Sequence, residues 1–355
     1  MTLQDLGYSK EMEVYRKENN LDLFDVARVV SEHKDRYTLR TMTNEITAEL
    51  VGNLRYSVAD KNELPAVGDW VAISEYDENK ALIHAVFPRK SVLERNAIGT
   101  LGQTQIIATN VDYGLIVQSV NRDFSINRLE RYMTICNGAN IKPIIVISKS
   151  DLIEKDELDV LLGQIRTRLS DIPLYAISNV TKMGIEEIRS LLKKGKTYCL
   201  LGSSGVGKST LINTIDGTEL MATGEISRSI DRGKHVTTHR ELIVIQNGGI
   251  IIDNPGMREV GIADSSEGLE LTFDTIAKLS SSCKYNNCTH TSEKGCAVLS
   301  AIDSGELDEN SYQNYLKLEK EKEFFESTVA EKRKKDKDFG KMVKRFKKIK
   351  KSKHY

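Results

Sequence analysis

With 355 residues, 39% of them hydrophobic, the chain is long enough for two or three domains that each bury a core. No apolar run approaches the length of a membrane span and no N-terminal stretch resembles a signal peptide, so the expected setting is cytoplasmic, with no membrane partner. The 51 basic and 51 acidic residues cancel, which argues against a uniformly basic nucleic-acid coat and directs attention to where the charges sit.

Residues 1–22 read as a charged helical extension. From 23 to 95 the chain changes to short β-type runs: Ala27–Val30, Tyr37–Arg40, Ile46–Leu50, Trp70–Ile73 and Ala81–Val86. Five such runs at close spacing, with Gly68-Asp69 as a turn, predict an OB-like β-barrel. Barrels of this kind bind RNA or serve as protein contacts. Trp70, the single tryptophan, is expected in a core.

From 96 to 265 strand and helix alternate. Asn110–Gln118 and Ile141–Ile147 are buried-type strands around a helix from Ile126 to Asn137. A helix at Asp156–Leu169, a strand at Leu174–Ile177 and a helix at Gly184–Leu192 follow. The alternation predicts a parallel sheet with right-handed crossovers. The next strand, Lys196–Leu201, runs into Gly202-Ser203-Ser204-Gly205-Val206-Gly207-Lys208-Ser209-Thr210. That segment satisfies the phosphate-loop pattern G-x-x-x-x-G-K-[ST] in its required strand-to-helix context. Its glycines let backbone N–H groups converge on phosphate oxygens at a helix N-terminus. Lys208 is expected on the β- and γ-phosphates, and the Ser209 hydroxyl on Mg²⁺.

Glu241–Ile245 and Gly249–Ile252 read as a hairpin, and the second strand ends in Asp253-Asn254-Pro255-Gly256. In a nucleotide hydrolase this is the metal-side motif: Asp253 acts on Mg²⁺ and the Gly256 N–H senses the γ-phosphate. Upstream, Ser148-Lys149-Ser150-Asp151 resembles the guanine-reading Asn-Lys-x-Asp, with Ser148 where Asn is usual. A carboxylate at Asp151 accepts from both the ring N1–H and the exocyclic amine of guanine, a donor pair that adenine lacks. The Lys149 stem would cover the base. Ser178-Asn179 fits the second guanine-side motif, usually Ser-Ala, whose backbone N–H meets the base oxygen. Base-reading motifs therefore precede the phosphate loop, the reverse of the usual order, which is a circular permutation.

Cys283, Cys288, His290 and Cys296 have the spacing C-x₄-C-x-H-x₅-C within an expected helical domain, 266–330. Three thiolates and one imidazole form a closed set, which favours one structural Zn²⁺ per chain. Cys136 and Cys199 lie in apolar runs and are read as core thiols. The tail, 331–355, carries 13 Lys or Arg against 3 Asp or Glu, leaving 38 against 48 elsewhere. Phe339, Met342, Val343, Phe346 and Ile349 recur there at helical spacing. That suits either a solubilising tail or a basic amphipathic helix that folds on RNA.

These features together resemble the circularly permuted GTPases that depend on the small ribosomal subunit (the RsgA/YjeQ family). The resemblance rests on the permuted motif order, on Gly233-Lys234-His235-Val236-Thr237-Thr238-His239-Arg240, and on the Cys–Cys–His–Cys cluster followed by Ala297-Val298. It implies an OB barrel, a GTPase domain and a zinc-containing helical domain. It also implies GTP hydrolysis during late maturation of the 30S subunit, with binding to 16S rRNA by a monomer. By the same resemblance His235 positions the attacking water, and Thr237 is the switch threonine that meets Mg²⁺ and the γ-phosphate, with Thr238 as the alternative. Met257 stands where Ras-like enzymes carry a water-orienting Gln, so the water must be managed from elsewhere. Gly205 stands where potassium-stimulated GTPases carry Asn, which removes one potassium ligand. The alternative functions are an RNA-docking module with GTP as a regulatory ligand, or an ATP-dependent phosphate-loop enzyme. Asp151 argues against the latter.

Overall fold

Alternation along the first strands is what closes them into a barrel. In β1 (Asp25–His33), β2 (Arg36–Arg40), β3 (Glu45–Leu50), β4 (Trp70–Asp77) and β5 (Lys80–Val86) the residues Ala27, Val29, Leu39, Ile46, Ala48, Val71, Ile73, Ala81 and Ile83 face one interior. The barrel order is β1-β2-β3-β5-β4, with β3 and β5 parallel and every other pair antiparallel. Trp70 and Ala72, out of phase with Val71 and Ile73, point outward. They form a second small core with Leu6, Tyr8, Met12, Val26 and Phe87 that seats the N-terminal helix α1 (Lys10–Glu18) on the barrel wall. Trp70 is thus wholly buried, with the Tyr8 ring edge-on at 5.0 Å. A short helix, α2 (Gly52–Ser57), links β3 toward β4.

The computed structural model describes residues 1–33, 36–57, 61–96, 104–121, 124–218, 220, 240–253 and 266–326. The expectations at His235, Thr237, Thr238, Gly256 and Met257, and those for the basic tail, lie outside the described residues.

An antiparallel ribbon of β6 (Val92–Asn96) and β7 (Thr104–Thr109) leads out of the barrel. The chain then alternates β8 (Tyr113–Ser119), α3 (Ile126–Gly138), β9 (Lys142–Ser148), α4 (Lys155–Arg168), β10 (Leu174–Ala176), α5 (Ile185–Leu191), β11 (Thr197–Leu201), α6 (Lys208–Asp216), β12 (Glu241–Val244) and β13 (Ile250–Asp253). The sheet order is β10-β9-β8-β11-β13-β12, parallel except for the β12–β13 hairpin. Successive strand residues bury into opposite cores, as in a sheet covered on both faces. Leu115, Val117 and Leu200 pack with α5 and α6, whereas Ile116, Cys199 and Leu201 pack toward α3 and α4. The expected strand from Asn110 begins only at Tyr113, because Asn110 takes a left-handed φ of 55° and turns the chain into the sheet.

The last four helices are α7 (Ser266–Thr272), α8 (Asp274–Ser280), α9 (Ala297–Asp303) and α10 (Glu309–Glu326). Their apolar side chains, among them Leu269, Ile276, Val298 and Leu318, and Phe273 between α7 and α8, belong to the same core as Leu129 and Met133 of α3. At Gly268 the backbones of α7 and α3 touch: a Cβ there would lie 2.3 Å from the Thr134 carbonyl oxygen. No described helix is long and apolar enough to cross a membrane.

Candidate nucleotide site and metal centre

The carboxyl ends of parallel strands collect the candidate motifs along one edge, the usual place for a ligand in an open α/β sheet. Ser148 ends β9, the 178–179 loop follows β10, the phosphate loop follows β11, and Asp253 ends β13. β11 lies between β8 and β13, so the loop sits between the base-reading segments on one side and Asp253 on the other.

Gly202 opens the loop at φ 144°, against Val117 of β8, where a Cβ would be 2.3 Å from the carbonyl oxygen. Only glycine allows the loop to begin so close to the neighbouring strand. Gly207, at φ 95°, is the N-cap of α6. The N–H of Leu211 is the first to return to it, at 2.9 Å, which leaves the N–H groups of Lys208, Ser209 and Thr210 without intrahelical acceptors. The Lys208 ammonium donates to the carbonyls of Gly202 and Ser203, each at 2.8 Å, folding it back over the loop. Ser204 and Gly205 are exposed at the crown, Val206 is buried beneath, and Ser209 is partly buried. Backbone donors, a dipole and a cation face one point, which fits a polyphosphate. From α3, the Arg128 guanidinium reaches Ser203 Oγ at 3.4 Å.

On the base side, Lys149 holds a left-handed φ of 58°, and Asp151 follows on a single 3-10 turn. Ser178 Oγ donates to Asp151 Oδ1 at 2.5 Å and accepts the N–H groups of Val180 and Thr181. Its hydroxyl thereby fixes one oxygen of the carboxylate. Ser148, wholly buried, donates to the Val206 carbonyl at 2.6 Å. Serine at this position therefore ties the base-reading segment to the phosphate loop. Asn179 leans the same way, its amide Nδ2 lying 3.4 Å from the Gly207 carbonyl. Ser150 Oγ and Asn179 Oδ1 are buried polar atoms without a hydrogen-bond partner among the described residues. Both lie in the two base-reading segments, an arrangement that a polar ligand would relieve.

The four soft ligands converge as well. Single ligand atoms of Cys283, Cys288, His290 and Cys296 all lie within 4.8 Å of one another. Cys283 Sγ is 3.9 Å from Cys296 Sγ and 3.6 Å from His290 Nδ1, which is 3.4 Å from Cys296 Sγ. Tetrahedral zinc with ordinary bond lengths requires edges of about 3.8 Å between sulfurs and about 3.6 Å between sulfur and nitrogen. Ala297 and Leu299 at the start of α9 donate their N–H groups to Cys283 and Cys296. The imidazole is oriented from behind: Nε2 contacts Ser280 Oγ at 3.0 Å, and the Tyr312 hydroxyl donates to the His290 carbonyl. The Ser280 contact on the second ring nitrogen is of the kind that sets a metal-binding tautomer, and the Tyr312 bond fixes the backbone that carries the ring.

A family model described as RsgA GTPase matches residues 86–263. A second, described as ABC transporter, matches 185–353, a stretch that begins just ahead of the same phosphate loop. The chain is 40% identical to the small ribosomal subunit biogenesis GTPase RsgA 2 of Listeria monocytogenes, over 90% of this chain and 89% of that one. It is 38% identical to the corresponding RsgA of Opitutus terrae, over 91% of this chain and 90% of that protein. Among solved structures it resembles YjeQ from Thermotoga maritima, with a TM-score of 0.62 and 27% identity, covering 83% of this chain and 96% of the other. The fold also matches YloQ, described as a circularly permuted GTPase, with a TM-score of 0.60 and 24% identity, covering 86% and 97%.

Proposed function

This chain belongs to the RsgA GTPase family and is a GTPase, and we propose on that premise that it hydrolyses GTP as a step in assembling the small ribosomal subunit. The relatives named for small-subunit biogenesis align over nearly the whole chain, which supports the 30S particle as partner. The 16S rRNA is the polyanion that the basic 331–355 tail would meet. The protein would act as a cytoplasmic monomer, with an N-terminal extension (1–22), a barrel (23–95), a GTPase domain (96–265) and a helical domain (266–330) preceding that tail.

In this reading the phosphate loop, Gly202 to Thr210, wraps the triphosphate with its N–H groups, and Lys208 draws charge onto the β/γ bridge. Ser209, Thr237 and the Asp253 side would hold Mg²⁺, which when bound would supply positive charge against the phosphate oxygens. Asp151 takes the two guanine donors while Ser178 holds the carboxylate still, and Lys149 covers the base. Gly256 senses the γ-phosphate and His235 orients the attacking water. Zn²⁺ would hold Cys283, Cys288, His290 and Cys296 and serve structure alone, because four protein ligands leave no open position.

The observation that carries this reading is the hydrogen bond from Ser178 to Asp151 at the same strand edge as the phosphate loop. It prepares a carboxylate for a donor pair found on guanine and absent from adenine. The test is phosphate release from GTP with and without purified small subunits. Stimulation of at least about tenfold is expected, because the chain has Met257 where a water-orienting Gln would sit and a partner must complete the site. A rate indifferent to subunits would refute the proposal.

A further inference from the structure

Ser148 has one hydroxyl hydrogen, and at 2.6 Å the Val206 carbonyl takes it. The residue is wholly buried, so position 148 has no donor left for a base. The amide missing from this motif recurs on the other base-reading segment, at Asn179. Its Nδ2 carries two hydrogens, and among the described residues its one hydrogen bond is the 3.4 Å approach to the Gly207 carbonyl. That carbonyl already accepts the Leu211 N–H at 2.9 Å, so the amide can leave it at little cost. Its oxygen is buried with no partner among the described residues. A half-buried amide this weakly held, with its oxygen enclosed, is a side chain whose bonding capacity is kept for something else.

Guanine leaves one edge open once its N1–H and amine face Asp151, and that edge offers only the acceptors O6 and N7. The backbone N–H of the 178–179 loop suits O6. N7 lies farther along, on the five-membered ring and toward the ribose and phosphates. Asn179 leans in that direction, from the base-reading loop toward Gly207 at the end of the phosphate loop. We infer that Asn179 is a specificity-determining residue whose side-chain N–H donates to N7 of guanine, replacing the amide that Ser148 cannot supply. This rests on the assignment of Ser148–Asp151 as base-reading, and it adds a contact that Ser-Ala at 178–179 would lack.

Dissociation constants for GTP, 7-deaza-GTP and ATP, measured on the full chain and on Asn179→Ala, test it. 7-Deaza-GTP has a C–H in place of N7 and otherwise keeps guanine's hydrogen-bonding groups. The parent should bind 7-deaza-GTP roughly three- to tenfold more weakly than GTP, the effect of one neutral hydrogen bond. Asn179→Ala should bind both equally, near the parent's value for 7-deaza-GTP. Asn179→Asp keeps the shape and removes the N–H, so it too should lose the discrimination and bind GTP more weakly still. Equal binding of GTP and 7-deaza-GTP by the parent overturns the inference, as does undiminished discrimination in Asn179→Ala. A larger loss of ATP than of GTP affinity in Asn179→Ala would also overturn it, since the amide would then be reading adenine. Asp151→Asn separates this from the underlying assignment. If it fails to shift preference from GTP to xanthosine triphosphate, the base-reading assignment itself is wrong.

Discussion

The GTPase sheet is joined to a domain on either side; apolar side chains cross both junctions, and the two differ in the charge that each buries. The barrel keeps its own apolar interior and is fastened by a buried cation. Arg28 of β1, 1% exposed, donates to the carbonyls of Leu6, Gly68 and Asn110 and to Thr197 Oγ1 at the start of β11. It also lies 5.6 Å over the Trp70 ring. The helical domain shares one apolar core with α3 and adds a buried anion. Glu130, likewise 1% exposed, accepts from Arg168 of α4 and from Ser311 and Asn314 of α10. Arg131, its neighbour, pairs with Glu321 through two bonds of 2.6 Å. The places gripped differ too. Arg28 holds the sheet at the amino end of β11, away from the ligand edge, whereas α3 carries Arg128 to Ser203 in the phosphate loop. A change in the loop therefore has a shorter mechanical route to the helical domain than to the barrel.

The largest expected effect comes from removing the proposed Zn²⁺, which would break one side of the comparison and leave the other standing. The segment between α8 and α9 offers four converging candidate ligands and few apolar side chains to hold it. Metal free energies of about 10–16 kcal/mol in comparable small sites act directly as folding free energy. Chelation, or Cys288→Ser, should unfold roughly 280–320 and release α10 from α3. Trp70 reports on the opposite junction and is the single tryptophan, so its emission should stay unchanged while proteolysis opens the helical domain. A red shift of Trp70 in step with metal loss would show that the junctions are not independent.

Arg28→Met comes next. It takes the Arg28 donor from the Leu6 and Asn110 carbonyls and Thr197 Oγ1, while the Gly68 carbonyl keeps the Asn110 amide, in a space closed to water, and each unmet buried group costs about 1–3 kcal/mol. With some relaxation a loss of about 3–5 kcal/mol is expected, read as a lower unfolding midpoint and a red-shifted Trp70 emission. Zinc content and the Glu130 network should be untouched. An unshifted emission maximum would mean that the barrel is held by apolar contacts such as Val30 and Val67, with Arg28 as a passenger.

Neither latch is legible in the sequence, for a physical reason. The phosphate loop, Ser148–Asp151 and the cysteine cluster are contiguous strings, because each binds a small target with neighbouring residues. The five barrel strands and the parallel sheet are legible as well, since burial on one or both faces imposes alternation or continuous apolar runs. Arg28 reads as an ordinary polar position in the run Ala27–Val30, yet one of its partners is 169 positions away. Glu130 reads as a solvated helix charge, yet Asn314 is 184 positions away. A buried charge is recognisable only once its distant partners are placed. The β6–β7 ribbon is not legible either, because Ile106, Ile107 and Ala108 bury consecutively in β7 and a register shift after Leu93 breaks the alternation of the pair.

The smallest effect separates the latches by sign of charge. Burial pushes the Glu130 carboxyl up, and the pull of Arg168, Asn314 and Ser311 in the other direction is the lesser influence. An acid whose folded pKa is raised holds more protons folded than unfolded, between the ordinary carboxyl value and its own raised value. The stability it contributes is therefore complete below the ordinary value and is lost as pH rises through the folded one. Arg28 is depressed by burial to about 10, offset in part by Asp112 and Asp69, so its proton stays on in both states throughout the neutral range. The comparison to make is the pH slope of unfolding free energy from about pH 4 to 8 in the parent, Glu130→Gln and Arg28→Met, where one proton amounts to about 1.4 kcal/mol per pH unit. Glu130→Gln should be less stable at every pH, because an amide turns donors toward Arg168 and Asn314. Relative to the parent its deficit should shrink as pH rises, by less than that one-proton limit. Arg28→Met should run parallel to the parent over the same range. A deficit in Glu130→Gln that grows with pH would mean that Arg168 outweighs burial, and that Glu130 is a charged ion-pair partner at all these pH values.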